Sequence, residues 1–128
     1  MKSVCICGSR RFEAGIRQFA KELTKAGVVV FEPILNKDKR IIDLPDNLKR
    51  FAFLGLTHHH FSFIRKADVV FMYNQDGYLG VSSTFELGFA EALSKPIYAL
   101  CDDKEEPCRN VLFDELIKTP KELLKKLQ

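Results

Sequence analysis

The run Gly8-Ser9-Arg10-Arg11 combines residue types suited to holding an anion. A glycine lets the backbone come close, a hydroxyl and two guanidiniums follow, and the run sits between an apolar stretch and an amphipathic one. If those are a strand and a helix, free backbone N–H groups and the positive end of the helix dipole gather at the same spot. The bland alternative is that Gly8 merely permits a tight turn and both arginines are solvated. A second polar set, Ser82-Ser83-Thr84, opens another helical stretch, adding hydroxyls and a further set of helix-start amides, with Asp76 and Gly77 in the loop before it. Glu86 has two readings. Ser83-Thr84-Phe85-Glu86 matches a capping box, in which the glutamate folds back onto its own helix start. The same carboxylate, fixed in a first helical turn beside an anion seat, could instead attack an electrophilic sugar carbon.

Two further groups invite a metal or disulfide reading. Cys5 and Cys7 point to one face of a strand and are too close in sequence to bridge comfortably, and Cys101 and Cys108 lack a Cys-x-x-Cys pair. All four read as reduced thiols, Cys5 and Cys7 as small buried hydrophobes. His58-His59-His60 fans out at about 100° per residue on a helix, so at most two rings could face one ion, and no ligand pair at i, i+4 supports them. No metal and no cofactor is expected. By spacing, His60 lies on a helix face with Phe53, Leu56 and Ile64.

The elements that must position these groups alternate along the chain. Ser3 to Cys7 reads as a strand, and Phe12 to Ala26 as an amphipathic helix closed by Gly27. A second strand spans Val28 to Phe31, and a charged loop from Asn36 to Pro45 leads to a helix over Asn47 to Lys66 that Asp46 could cap. That helix carries more apolar surface than one sheet face covers, which points to a homodimer or higher homo-oligomer. Then come a strand over Val69 to Tyr73, a loop over 74–80, a helix from about Ser83 to Ser94, a strand over Ile97 to Leu100, a short edge strand at Val111 to Phe113, and a terminal helix from Pro120 to Leu127 started by the Thr119-Pro120-Lys121-Glu122 box.

This alternation predicts one α/β domain over residues 1–128: a Rossmann-like or flavodoxin-like open parallel sheet of about five strands, with helices on both faces. Ligands on such sheets bind beyond the carboxyl ends of the strands, where the strand order switches. With order 2-1-3-4-5, the loops at Gly8 to Arg11 and at Asn74 to Ser83 face one crevice. Asp68 precedes its strand, roughly 15 to 20 Å of strand away at ~3.3 Å per residue, and reads as structural.

At 128 residues, 46% hydrophobic and 29% charged, the chain has an ordinary globular composition. The net charge of +3 forms no basic stripe, which argues against nucleic acid as a partner. No apolar run reaches the ~18 residues of a membrane span, and Met1-Lys2 leads into no signal-peptide pattern, so a cytoplasmic protein with no membrane partner is expected.

Three segments carry a likeness to a known family: Cys7-Gly8-Ser9-Arg10-Arg11, Ala67-Asp68-Val69-Val70, and above all Thr84-Phe85-Glu86-Leu87-Gly88-Phe89-Ala90 with Ala92-Leu93 and Lys95-Pro96-Ile97. On these the chain resembles the nucleoside 2-deoxyribosyltransferases, including their branch of deoxynucleoside 5′-monophosphate N-glycosidases. The resemblance implies that Glu86 is a nucleophile forming a glycosyl-enzyme intermediate as the base departs, with water or a second base resolving it. It implies a nucleoside or nucleotide as ligand, with Ser9 and Arg11 holding a 5′-phosphate, and pairing of subunits through the long helix. Two positions depart from the family: His60 stands where it has an acidic residue, and Cys5 where it has a tyrosine. His60 could serve as acid or base, or the site could bind without turnover, as a nucleotide-sensing module on the same fold. A third reading is an oligomeric scaffold held by the aromatic helix.

Overall fold

The computed structural model describes residues 1–35 and 39–128, with the backbone alone for 39 and 40. Its centre is a parallel sheet of β1 (Val4–Gly8), β2 (Val30–Phe31), β3 (Val69–Tyr73), β4 (Ile97–Ala99) and β5 (Glu115–Leu116), in the order β2-β1-β3-β4-β5. The expected α/β open sheet and its 2-1-3-4-5 order are both present. β1 and β3 are buried on both faces because side chains alternate. Val4 and Ile6 of β1, with Val69 and Phe71 of β3, pack under α1 (Glu13–Lys25) and α6 (Pro120–Leu127). Cys5, Cys7, Val70 and Met72 face the other layer, built by α3 (Asp46–Lys66) and α4 (Val81–Ala92). Between these strands lie the short α2 (Lys39–Ile42) and α5 (Pro107–Asn110).

Several boundaries follow the sequence reading closely. Gly27, at φ 91°, ends α1 in the left-handed region that glycine enters without strain. Thr119 caps α6 by accepting from the Glu122 amide at 3.2 Å, and the Glu122 carboxylate accepts from the Lys118 amide. Gly8 ends β1 where a Cβ would lie 2.8 Å from the Ile16 methyl and 3.1 Å from the Tyr73 carbonyl oxygen, so only glycine lets β1 turn there against β3 and α1. Asp68 sits at the opposite end, accepting from the Ser3 amide at 2.7 Å and the Ser3 hydroxyl at 3.0 Å.

Four expectations are corrected. The stretch read as a charged loop contains α2, while residues 36–38 of that loop lie outside those described. Asp46 is the first residue of α3 and does not cap it; Pro45 takes the cap position. α4 starts at Val81 and ends at Ala92, because Gly80 is its N-cap and Ser94 turns left-handed at φ 56°. The fifth strand lies at Glu115–Leu116. Residues 107–113 instead wrap into α5 and a turn, with the Leu112 and Phe113 amides bonded to Arg109 and Asn110 carbonyls.

That wrap is held from within. Asp103, 5% exposed, accepts from Arg109 Nε at 2.6 Å and from the amides of Glu105 and Glu106, and Arg109 reaches the Thr84 hydroxyl at 3.3 Å. Burial pushes the Asp103 carboxyl up, but the Arg109 guanidinium and the two amides outweigh it and leave it below the ordinary aspartate value. Breaking such a buried pair from one side costs about 3 kcal/mol, whereas an exposed pair such as Arg17–Glu32 is worth under about 1. Chemical denaturation of Arg109→Ala should therefore show the larger loss, and Arg17→Ala a marginal one. The Asp103 contribution should be full above about pH 4 and be lost as pH falls through its lowered folded value, as acid titration of the variant against wild type would show.

Candidate functional site

Beyond the carboxyl ends of β1 and β2 opens a cleft of about 410 Å³ between the start of α4 and the inner face of α3. One part of its lining is polar: Gly8, Ser9 and Arg10 after β1, then Gly80, Ser82 and Ser83 at the start of α4. Gly80 offers no side-chain cap, so the first-turn amides of α4 and the positive end of its dipole are left for an acceptor from outside the helix. The other part is apolar and aromatic, with Phe53, Leu56 and Phe61 of α3, Phe85 of α4, and Ile34 and Leu35 after β2. His60 and Glu86 line the same cleft.

Glu86 does not act as a cap. Ser83 is the third residue of α4 and buried, so Glu86 falls in the second turn, with its carboxylate turned across to α3. Its Oε2 lies 2.9 Å from His60 Nε2, yet without the alignment of a hydrogen bond, and this buried oxygen has no hydrogen-bond donor. The same Nε2 meets Cys7 Sγ at 3.2 Å and Cys5 Sγ at 3.8 Å. Burial lowers the His60 basicity, but the Cys5 and Glu86 side chains more than reverse this and lift it to about 10. The neighbouring Cys7 thiol brings Cys5 down to about 6 against its own burial, with His60 assisting. Cys7, fully enclosed, is pushed up by burial and by Cys5.

The structure brings Gly8, Ser9, Arg10, Ser82, Ser83, His60 and Glu86 together and leaves three expected residues aside. Arg11 is exposed and stacks its guanidinium 3.6 Å over the Tyr78 ring, because the 3-10 turn at Arg10–Phe12 rotates it off the cleft. Ser9 caps that turn by accepting from the Arg11 amide. Asp76 and Gly77 lie in a turn packed toward the loop after β4, where the Gly77 carbonyl accepts from the Lys104 amide. Of the three histidines only His60 is buried. The convergence of Cys5 and Cys7 on His60 was not read from sequence, although their shared strand face was its signal. Asn74 was read only as a turn residue. It is buried and ties the ends of β3 and β4 by donating to the Cys101 carbonyl and accepting from the Leu100 and Cys101 amides.

No family model matches the chain, and no curated protein matches it. Among solved structures it is similar to a conserved protein from Enterococcus faecalis V583, at 15% identity and a TM-score of 0.57, over 99% of this chain and 97% of that one. At that identity the likeness supports the fold alone. No helix among the described residues is long and apolar enough to cross a membrane.

The burial of the thiols has a direct readout. With a thiol-specific reagent under native conditions, Cys108 should react fast and Cys101 more slowly, while Cys5 and Cys7 should react only after denaturation. Four fast thiols in the folded protein would contradict this packing.

Proposed function

We propose that the chain cleaves or transfers the N-glycosidic bond of a nucleoside or nucleoside 5′-monophosphate, with Glu86 as nucleophile. The observation that carries the reading is that the Glu86 carboxylate is released from helix capping and directed to the cleft beside His60. A retained capping box would have favoured a binding module. The lining matches such a ligand in its two halves. Phe53, Phe61 and Phe85 offer faces for a base, and Ser9, Arg10 and the start of α4 offer donors for a phosphate.

In the reaction, a Glu86 oxygen attacks the anomeric carbon as its bond to the base nitrogen breaks, and the electron pair leaves with the base. His60 Nε2 is the nearby group that protonates that nitrogen. Water, or a second base, then attacks the anomeric carbon and frees the carboxylate. Glu86→Gln preserves shape and removes the nucleophile, so base release should fall by orders of magnitude while ligand affinity is kept. A panel of nucleosides and nucleotides assayed for free base tests this. A wild type that binds but releases no base would leave the sensing role in its place.

The phosphate assignment moves from Arg11 to Arg10. A charge-assisted contact is worth ~1.5 to 3 kcal/mol, so monophosphates should bind roughly 10- to 150-fold more tightly than nucleosides. Arg10→Ala should remove most of that difference and Arg11→Ala little, as calorimetric titration would show.

Dimerisation belongs to the same proposal. The first half of α3 buries no residue, and Phe51, 68% exposed, stands with Leu48 and Leu54 on it. Phe85, 62% exposed, extends the apolar surface to the cleft rim. A second copy would cover this surface. Light scattering at micromolar concentration should give a dimer mass, and Phe51→Glu should shift it to monomer.

A further inference from the structure

Two sulfurs and one ring nitrogen crowd a single point beside the cleft, with a carboxylate oxygen against the ring nitrogen. The ring nitrogen, His60 Nε2, can carry one proton, and one proton can be donated along one line. It faces Cys7 Sγ at 3.2 Å, Cys5 Sγ at 3.8 Å and Glu86 Oε2 at 2.9 Å, and the carboxylate oxygen is left without a donor although buried. One ring proton therefore serves one of these neighbours at a time, whereas a divalent ion that displaces the ring and thiol protons engages both sulfurs and Nε2 together. The dimensions agree. Zinc binds thiolate sulfur at ~2.3 Å and imidazole nitrogen at ~2.0 Å, so neighbouring ligand atoms of a tetrahedral centre lie roughly 3.3 to 3.8 Å apart. The Cys5, Cys7 and His60 ligand atoms all fall within 4.8 Å of one another, so shifts of at most about 1 Å bring them to that spacing.

We propose that Cys5, Cys7 and His60 form a site for a zinc-class divalent ion, with the Glu86 carboxylate beside His60 turning in as the fourth ligand. The donor set selects the metal: two thiolates and an imidazole favour zinc over calcium or magnesium, which take oxygen ligands. The strand supplies the first pair, because residues two apart on β1 point to the same face. Ligation proceeds as the ion enters and protons leave the two thiols and Nε2 for solvent. His60 and Glu86 line the cleft and give the ion its way in. On the reading that Glu86 is the nucleophile, an occupied site engages that carboxylate and stops base release, so the ion acts as an off-state. That consequence rests on the proposed reaction; the binding itself does not.

Cobalt(II) is the probe, since it takes zinc's place and reports its ligands by colour. Reduced protein titrated with Co²⁺ alone should develop thiolate-to-cobalt charge transfer in the near ultraviolet and the strong visible bands of a tetrahedral ion, saturating at one equivalent and disappearing on addition of Zn²⁺. The Cys101→Ser/Cys108→Ser protein, altered only outside the cluster, should keep the whole spectrum. Cys7→Ser, confirmed as folded by circular dichroism, should lose most of the charge transfer. Wild-type protein that shows no charge transfer at stoichiometric Co²⁺, or a spectrum that vanishes in the Cys101→Ser/Cys108→Ser protein, would overturn the site. A separate arm measures base release with and without one equivalent of Zn²⁺. Cobalt spectra as described with no base release in any condition would uphold the site and reject the reaction, whereas base release without cobalt spectra would do the reverse.

Discussion

A single ring nitrogen organises this molecule's chemistry. His60 Nε2 sits where β1, α3 and α4 come together, facing Cys5 and Cys7 from the strand and Glu86 from the helix. Leaving polar groups buried without matched partners is costly, so an arrangement of this kind persists only when the surrounding packing enforces it. Here the enforcement comes from both sides. Ile64, one turn beyond His60, is fully buried, Phe61 stacks on Phe89 of α4 at 4.5 Å between ring centroids, and Phe63 meets Phe31 at 5.2 Å. The second half of α3 is thereby fixed against the sheet, while its first half stands clear.

The same packing explains why the cleft is polar on one side and aromatic on the other. Parallel strands deliver their carboxyl ends to one edge, and the reversal of strand order at β1 and β3 keeps the helices that follow from covering it. Three chain segments reach that edge: the turn after β1, the stretch after β2 and the start of α4. Behind α4, Arg109 links the Thr84 hydroxyl to the buried Asp103. A structural ion pair in the loop after β4 therefore helps set where the helix that carries Glu86 begins.

The fold was legible because its signals are local and repeated. The short apolar runs at Val4–Gly8 and Val69–Tyr73, the 3.6-residue spacing in α1, and Gly27 each report on nearby backbone. Alternation of elements implies the parallel sheet but not its strand order; 2-1-3-4-5 is one order such sheets adopt and is the one present. The site was legible in part. Glycine, serine and a pair of arginines after β1 marked the polar side of the cleft, but which arginine faces it depends on a one-turn 3-10 segment that no periodicity reveals. Glu86 shows the same limit more sharply. Ser-x-x-Glu spacing describes a cap only if the helix starts at the serine, and α4 starts two residues before it, at Val81 behind Gly80. The edge strand was misplaced for a related reason: Val111 to Phe113 has strand composition, yet the tertiary bonds of Asp103 and Arg109 draw that stretch into a turn. The meeting of Cys5, Cys7 and His60 spans 55 residues of sequence and follows only from packing α3 on β1.

The proposed reaction requires Glu86 as its nucleophile at the cleft. The most direct test is mass spectrometry of protein quenched in acid during turnover of a nucleoside 5′-monophosphate. A gain equal to one sugar phosphate, located on the peptide that contains Glu86, is the predicted result. Base release with no adduct, or with an adduct on a cysteine or on His60 in place of Glu86, would contradict it.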